Sequence, residues 1–485
     1  MLMGDRAKWL LNFTENNNPQ FIIDESHNIA TNDTNRGKVI DYITNKSNRP
    51  IIRASATWSK NAKNIARCHD MFPTDYNEET LKKMVQRGGT ALQEVLSNTL
   101  IAEGAMVRRE HNFGKRQVNI IQSHETQRNR KATDAMATIM QKASHYTKRQ
   151  FEIYKSAYIN SESAQDAVER TSNIEQFSFS SSFSLIADGF TNAMRSSAAA
   201  QVALDAVSKK QKPIIGIDKT AESSLEFLFN AVRKKGADNV VLEEFPDFKA
   251  MMQRWIEKQG TREYKIAIEP TLAEMRKAQR NGTVAEPTVE KHQVTWREEM
   301  EKGTVEYQEL ESLEKDLIKS LETLPDLPLS PIDYVKTELA KHEISTAEVS
   351  GRKLHVRLHE DGRRYVIEPR EKETKAEAQF AFNSNEKEAI ILTKAGTEGI
   401  SLHAAESLSK YGSEALNQRH VILMGSFMNI VDEEQFFGRG ERKGQVAKAE
   451  SSKVITGMPI EARMLAQAKE IVLGYQHQQL AMLNP

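Results

Sequence analysis

The sequence predicts an α/β fold in which short buried strands alternate with amphipathic helices. Apolar runs that are bounded by turn or polar residues and too short for a helix occur at residues 21–23, 50–54, 213–217, 389–393 and 421–424. Long polar segments with helical periodicity separate these runs, and in residues 132–145 the apolar side chains repeat as a stripe on one face. This alternation is typical of the α/β class.

Size and composition exclude several classes of protein. The chain has 485 residues, more than one hydrophobic core usually serves, so we expect two or three domains. Lys plus Arg and Asp plus Glu both number 67, so any site for a polyanion must be a local patch. The single cysteine, Cys68, excludes an intramolecular disulfide and suits a reducing, cytoplasmic setting. The chain lacks an apolar run of about eighteen residues, so we expect no membrane span and no membrane partner.

Two segments depart from the alternation of strand and helix. Residues 355–358 and 364–367 flank an Asp361-Gly362 turn signal, which predicts a β-hairpin outside the main sheet. Residues from about 238 to 323 are rich in Glu, Lys and Arg, with little strand character, which favours a helical insertion. Prolines at 325, 328 and 331 predict the end of that insertion and the start of the next helix.

The first candidate site follows the apolar run 21–23, which ends in Asp24 and Glu25. In a phosphoryl-transfer site, an acid at a strand end can hold hydrated Mg²⁺ while its neighbour orients or deprotonates the attacking water. Asp24 would be the metal residue and Glu25 the water-activating one. An Asp-Glu pair after apolar residues is also common in surface turns, so the pair alone leaves both interpretations open.

The second candidate site lies after the apolar run 50–54, where Ser55 and Thr57 flank Ala56. Small hydroxyl residues let a neighbouring loop come close and could transmit a change in the conformation of that loop. Ser55 or Thr57 could equally cap the following helix.

The third candidate site follows the run 389–393 and contains Gly396, Thr397, Glu398 and Gly399. Two glycines three positions apart, with hydroxyls nearby, allow the backbone to approach a phosphate or a sugar closely. A glycine-bearing turn between strand and helix also occurs in many α/β proteins for packing reasons alone.

The fourth candidate site, residues 435–445, is the most specific. Arg439 and Arg442 lie three positions apart, so on a helical turn both project from one face. Two guanidiniums in that arrangement can spread over a triphosphate through charge-assisted hydrogen bonds. A basic helix end is usually only a solvated surface, but glycines at 438, 440 and 444 argue against an ordinary surface helix.

Taken in order, these segments resemble the late motifs of superfamily-two helicases and translocases. The matching strings are D-E-S-H at 24–27, S-A-T at 55–57, A-G-T-E-G-I-S-L at 395–402 and Q-F-F-G-R-G-E-R-K-G-Q at 435–445. The sequence is more closely similar to the strawberry-notch family, whose members have the sequence features of Snf2-related, DEAD-like ATPases. The resemblance extends from about residue 20 to about residue 470. Family members with fused or neighbouring methyltransferases suggest phage or mobile-element DNA as one setting.

The resemblance implies two RecA-like lobes with long helical insertions, the first lobe partial and the second complete. The implied domains are 1–70, the end of the first lobe; 71–205, a helical and partly basic inter-lobe region; 206–237, the start of the second lobe; 238–330, the charged helical insertion; 331–460, the rest of the second lobe; and 461–485, a C-terminal helix.

The resemblance also implies a role for each candidate residue. Asp24 and Glu25 would serve Mg²⁺ and water activation. Coupling between the lobes would fall to His27, Ser55 and Thr57. The residues implied to contact ATP, or in part a DNA backbone, are Gly396, Thr397, Glu398, Gly399, Gln435, Gly438, Arg439 and Arg442. Arg442 would be the arginine finger, with Arg439 beside it.

A basic region in this otherwise neutral chain is a candidate DNA track. Its residues are Arg108, Arg109, Lys115, Arg116, Arg128, Arg130, Lys131, Lys148 and Arg149. In a motor they could follow a phosphate backbone without reading bases, which gives salt-sensitive, sequence-independent binding. An ordinary charged helical surface is the alternative interpretation.

One departure from the helicase pattern concerns the phosphate-binding loop. A G-x-x-x-x-G-K-[ST]-like loop is expected ahead of the acidic strand, but the twenty residues before Phe21 do not form one. The leading hypothesis is therefore part of an ATP-dependent DNA helicase or translocase, inactive alone, whose Walker A loop comes from another chain or a longer polypeptide. The alternative is a non-catalytic DNA-binding or structural protein on a degenerate helicase fold. A third possibility, a small-molecule kinase or other NTPase, would share the acids and arginines but not the sequence Q-F-F-G-R-G-E-R-K-G-Q at 435–445.

Overall fold

The chain divides into two compact units, Met1–Lys115 and Arg116–Pro485, which are described separately. A computed structural model describes residues 5–24, 26, 35–47, 49–54, 71–72, 78–107, 116–159, 179–233, 237–268, 288–371, 373–393, 396, 399–425, 430–458 and 461.

The first unit contains a small parallel sheet and three described helices. Its elements are α1 (Asp5–Asn17), β1 (Ile22–Asp24), α2 (Asn35–Lys46), β2 (Ile52–Ala54) and α3 (Glu78–Ala102). The two strands form where the sequence predicts them, and they pair in parallel with Asp24 opposite Ala54. The acidic end of β1 therefore lies beside the end of the strand that leads into residues 55–57.

The second unit is built on a six-stranded parallel sheet. In chain order its strands are β3 (Val118–Gln122), β4 (Lys212–Ile217), β5 (Val240–Leu242), β6 (Thr261–Ile268), β7 (Thr288–Thr295), β8 (Thr346–Val349), β9 (Leu354–Leu358), β10 (Tyr365–Pro369), β11 (Ala389–Thr393), β12 (Arg419–Met424) and β13 (Glu450–Ile455). The main sheet has the order β3-β13-β12-β4-β11-β8, with parallel pairing throughout. Every residue of β4, β11 and β12 is buried, as expected for parallel strands that are covered on both faces.

Helices cover both faces of this sheet. Those of the second unit are α4 (Thr126–Ile159), α5 (Phe179–Ser208), α6 (Glu222–Val232), α7 (Lys249–Gln259), α8 (Trp296–Glu299), α9 (Val305–Ser320), α10 (Pro331–Ala340), α11 (Lys375–Asn383) and α12 (Ile430–Phe437). On one face, α5 and α10 pack against Ile215 and Ile391. On the other, Phe382 of α11 and Phe436 of α12 pack against Ile214. The predicted α/β class is confirmed, and the sheet is consistent with a RecA-like helicase lobe.

Two local predictions are also confirmed. Helix α10 begins at Pro331, and the side chain of Ser330 caps it by accepting a hydrogen bond from the backbone N–H of Asp333. Strands β9 and β10 form the predicted hairpin around Asp361-Gly362, and β10 also pairs with β5. The result is a separate antiparallel sheet outside the main one, in the order β5-β10-β9.

The segment 238–323 contains strands as well as helices, in contrast to its sequence pattern. Strands β6 and β7 pair as an antiparallel ribbon from Thr261 opposite Thr295 to Ile268 opposite Thr288. Their charged and β-branched residues are mixed, so neither strand stands out as an apolar run. Strand β3 likewise lies within the segment 71–205 and completes one edge of the main sheet.

Candidate functional site

Two segments that the sequence singles out meet beside the main sheet. We call residues 399–402 the β11 loop and residues 438–442 the arginine turn. The backbone N–H of Leu402 donates to the carbonyl oxygen of Arg439 at 3.0 Å. The guanidiniums of Arg439 and Arg442 both donate to the carbonyl oxygen of Ile400, at 3.2 and 3.3 Å. The third and fourth candidate sites are therefore one structural site.

The two arginines differ in burial. Arg439 is 8% exposed, so its hydrogen bond to Ile400 lies in the interior. Arg442 is exposed, and its backbone N–H donates to the side-chain oxygen of Gln445 at 3.0 Å. Arg439 is placed to hold the arginine turn against the β11 loop, whereas the guanidinium of Arg442 is accessible to an anion.

Gln435 lies on α12, four residues before Arg439 in the sequence. Its side-chain nitrogen is buried and makes no hydrogen bond within the part of the chain that the structure describes. A buried donor without an acceptor costs about 1–3 kcal/mol, so this amide is suited to a ligand oxygen. A guanidinium such as that of Arg442 can form charge-assisted hydrogen bonds to phosphate oxygens.

Glycines allow the two segments to lie this close to the sheet. A Cβ on Gly440 would fall 2.4 Å from a methyl carbon of Val421 in β12. A Cβ on Gly396 would fall 2.6 Å from the carbonyl oxygen of Val349 in β8. Gly399 has a φ of 78°, in the left-handed region that favours glycine. Packing and turn geometry thus account for these three glycines before any ligand is considered.

Further polar residues surround the β11 loop. Arg419, fully buried at the start of β12, donates to the carbonyl oxygen of Leu402 at 2.8 Å, and burial lowers its pKa to about 10. His403 forms a 2.9 Å hydrogen bond with the hydroxyl of Ser401. Burial and then the charges of Arg442 and Arg419 lower the pKa of His403, which favours a neutral imidazole. Sequence reasoning missed the roles of Arg419 and His403, although a basic residue opening a buried apolar strand was a usable signal for Arg419.

Arg116, one of the candidate DNA-binding residues, forms ion pairs with one acid just before the fourth site and one acid within it. Its guanidinium lies 2.6 Å from Glu434 and 2.9 Å from Glu441. It also lies over the ring of Phe437, 5.9 Å from the centroid. The structure therefore places Arg116 against Glu434 and Glu441, which precede Gln435 and Arg442 in the sequence.

The remaining basic candidates divide by their surroundings. On α4, Arg128 pairs with Glu125 at 2.7 Å and donates to the carbonyl oxygen of Asp326. Arg130 and Lys131 are exposed on the same helix. Residues Arg108, Arg109 and Lys115 lie outside the described residues.

The acidic candidates belong to the first unit. Asp24 is exposed at the end of β1. Several other predicted site residues lie outside the described part of the chain, namely Glu25, His27, Ser55, Thr57, Thr397 and Glu398. Within the described ranges, there is no group of three or more His, Cys, Asp or Glu side chains that could hold a metal ion. A search of the same ranges also finds no helix both long and apolar enough to span a bilayer.

Comparisons with known proteins find a similarity for part of the second unit. No curated protein gives a significant match to the chain. A family model described as the C-terminal domain on Strawberry notch homologue matches residues 330–471, which include the β11 loop and the arginine turn. Residues 330–471 are therefore similar to the C-terminal helicase domain of Strawberry notch homologues.

Proposed function

We propose that this chain is part of an ATP-dependent DNA helicase or translocase of superfamily two. The observation that carries the proposal is the shared hydrogen bonding of Arg439 and Arg442 to the carbonyl oxygen of Ile400. It joins the two segments that motors of this class use at the nucleotide, and it leaves Arg442 exposed. The family match over residues 330–471 supports the same assignment.

In this proposal the second unit contributes groups that sense ATP. Gln435 and Arg442 would hold it, because Gln435 has a buried amide nitrogen with no hydrogen-bond partner among the described residues and Arg442 is exposed. Arg439 would keep the arginine turn in place. The turn glycines and the two residues between them would let the backbone approach the ligand. These residues are Gly396, Thr397, Glu398, Gly399 and Gly438. Bound ATP supplies the phosphoryl group, and Mg²⁺ neutralises its charge.

The first unit would contribute the acids. Asp24 would hold Mg²⁺ through water, and Glu25 would orient the attacking water. His27, Ser55 and Thr57 would couple this site to the second unit. We further propose that another chain, or another part of a longer polypeptide, supplies the loop whose backbone N–H groups and lysine bind the β- and γ-phosphates.

DNA is the proposed track. The exposed Arg130 and Lys131 on α4 suit contacts with a phosphate backbone that do not depend on base sequence. Arg116 and Arg128 fit this role less well, because acids already neutralise their charges.

The first test is Mg²⁺-dependent ATP hydrolysis by the purified chain, with and without DNA, repeated after addition of lysate from its source. We expect activity only with lysate, and we expect Arg442→Ala to reduce it by roughly 10³–10⁵. Lys443→Ala is the matched control, because Lys443 is the adjacent exposed cation. Full turnover in Arg442→Ala would exclude the arginine-finger role.

The same experiment addresses the non-catalytic alternative. A DNA-binding or structural protein on a degenerate helicase fold would hydrolyse no ATP in any condition. Its DNA affinity would depend on salt and would be unchanged by ATP. A large effect of ATP on DNA affinity would contradict this alternative.

A further inference from the structure

Arg116 joins the two ends of the segment that carries the proposed nucleotide contacts. One nitrogen of its guanidinium lies 2.6 Å from Glu434, which immediately precedes Gln435. Another lies 2.9 Å from Glu441, which immediately precedes Arg442. A single planar side chain thus contacts the neighbours of both proposed ligand-binding residues.

Burial makes these two ion pairs unequal. The side chain of Glu441 is 2% exposed, whereas that of Glu434 is 58% exposed. A buried carboxylate is strongly destabilising when its cation is removed, while an exposed pair contributes little. The bond between Arg116 and Glu441 therefore dominates the anchoring, and the bond to Glu434 fixes the direction of the guanidinium.

The position of Arg116 in the chain gives the contact a wider role. Arg116 is the first residue of the second unit, and only Gln117 separates it from the edge strand β3. Strand β3 pairs with β13, with Val118 opposite Ser451. The arginine turn is thereby attached to an edge of the main sheet that comes from a distant part of the sequence.

We propose that Arg116 is a positioning residue that fixes the relative placement of Gln435 and Arg442, and that it is not a contact for DNA phosphate. A guanidinium shared by two carboxylates has a local net charge of −1, which repels a phosphate group. The nature of the ligand, a nucleoside triphosphate, rests on the proposed function. The anchoring of residues 434–442 by Arg116 does not depend on the proposed function.

The anchoring is tested by hydrogen–deuterium exchange of the full chain. In Arg116→Ala we expect amides in 434–442 to exchange at least about fivefold faster, with the rates of β4 and β11 unchanged. The double variant Arg116→Ala/Glu441→Gln removes the buried charge as well. We expect it to regain thermal stability but to keep fast exchange in 434–442. Arg130→Ala, a variant of an exposed arginine, is the control and should leave exchange unchanged.

Two exchange results would overturn the proposal. One is unchanged exchange of 434–442 in Arg116→Ala. The other is full recovery of slow exchange in the double variant, because that would mean that Arg116 only neutralises Glu441.

Ligand titrations separate positioning from a DNA contact. With a fluorescent ATP analogue and Mg²⁺, we expect Arg116→Ala and the double variant to bind roughly tenfold more weakly than the wild type, and Arg116→Lys to recover part of the affinity. The salt dependence of DNA binding should stay at its wild-type slope. A slope lowered by about one in Arg116→Ala, with exchange unchanged, would mean a phosphate contact and overturn the proposal. If the wild type binds no ATP analogue even after addition of lysate from its source, the proposed function fails, and the exchange data still decide whether Arg116 anchors the segment.

Discussion

Gly216 in β4 lies directly against the ring of Phe436 in α12, so that a Cβ on Gly216 would fall 2.4 Å from the ring. Phe436 is fully buried and has little space to move. We expect Gly216→Ala to lower the free energy of unfolding by about 1–3 kcal/mol, as overpacking does. Equilibrium urea unfolding measures this change. Gly351→Ala is the control, because no heavy atom lies within 4 Å of its added Cβ, and equal stability of the two variants would refute the close contact.

Arg352 connects two acids in the protein interior. Its guanidinium lies 2.6 Å from both Asp333 and Glu348, and all three side chains are at most 1% exposed. Because Arg352→Met would leave buried carboxylates without their main cation, we expect a loss of about 3–5 kcal/mol in unfolding free energy. Arg363→Met, at the exposed hairpin turn, should have almost no effect. Denaturant unfolding of both variants tests this, and a loss below about 1 kcal/mol for Arg352→Met would contradict it.

The same network predicts an acid dependence. Burial raises the pKa of Glu348, but the hydrogen bond and charge of Arg352 outweigh it and hold the pKa well below its usual 4.5. A carboxylate with a lowered pKa stabilises the fold above its unfolded pKa and loses that contribution as the pH falls. The stability difference between wild type and Arg352→Met should therefore shrink below pH 4.5. A difference that is constant down to acid unfolding would argue against this ion pair.

Lys212 predicts a stability change on the basic side. Its ammonium nitrogen donates to the carbonyl oxygen of Phe382 at 2.6 Å and to Asn385 at 2.7 Å. Burial, and then the charge of Arg419, lower its pKa to about 7 from 10.5. Between these values the unfolded chain keeps a proton that the folded chain has lost, so the free energy of unfolding rises with pH, by at most about 1.4 kcal/mol per unit.

Urea unfolding across this pH range tests the effect of Lys212. The wild type should gain stability relative to Lys212→Met as the pH rises above about 7. Lys443→Met, which removes an exposed lysine, should follow the wild type at each pH. A difference between wild type and Lys212→Met that does not change with pH would show that the ammonium keeps an ordinary pKa.

The exposed cations of α4 predict a change in the salt dependence of DNA binding. Loss of two phosphate contacts in Arg130→Ala/Lys131→Ala should lower the slope of log K against log salt by about two. Arg149→Ala on the same helix should leave the slope unchanged, because Arg149 already pairs with Glu309 at 2.7 Å. Fluorescence anisotropy with labelled single- and double-stranded DNA gives both slopes. Equal slopes for the wild type, Arg130→Ala/Lys131→Ala and Arg149→Ala would mean that DNA contacts other residues.

The sequence predicts those strands that contain an apolar run bounded by turn or polar residues. Residues 213–217 of β4 and 421–424 of β12 are such runs, and the Asp361-Gly362 pair marks the hairpin. Strand β3 is partly exposed along its length and carries polar residues among apolar ones, so its pattern resembles that of a surface segment. Only its pairing with β13 makes it part of the main sheet.

The candidate site shows the same limit. The spacing of Arg439 and Arg442 indicates a shared face, and both do contact the carbonyl oxygen of Ile400. The partner of Glu441 could not be inferred, because Arg116 is 325 residues away in the sequence. Ion pairs between distant segments follow from the order of strands in the sheet, which local patterns do not specify.

The central position of β4 has a consequence for synthesis of the chain on the ribosome. Ile214 pairs with Ile390 on one side and with Val421 on the other, so its nearest partner is made 176 residues later (390 − 214). At a synthesis rate of about 5–20 residues per second, the apolar strand β4 remains without a paired strand on either edge for roughly 10–35 s. A nascent chain stalled before residue 389 should therefore aggregate or bind chaperones, and the sheet can form only late in translation.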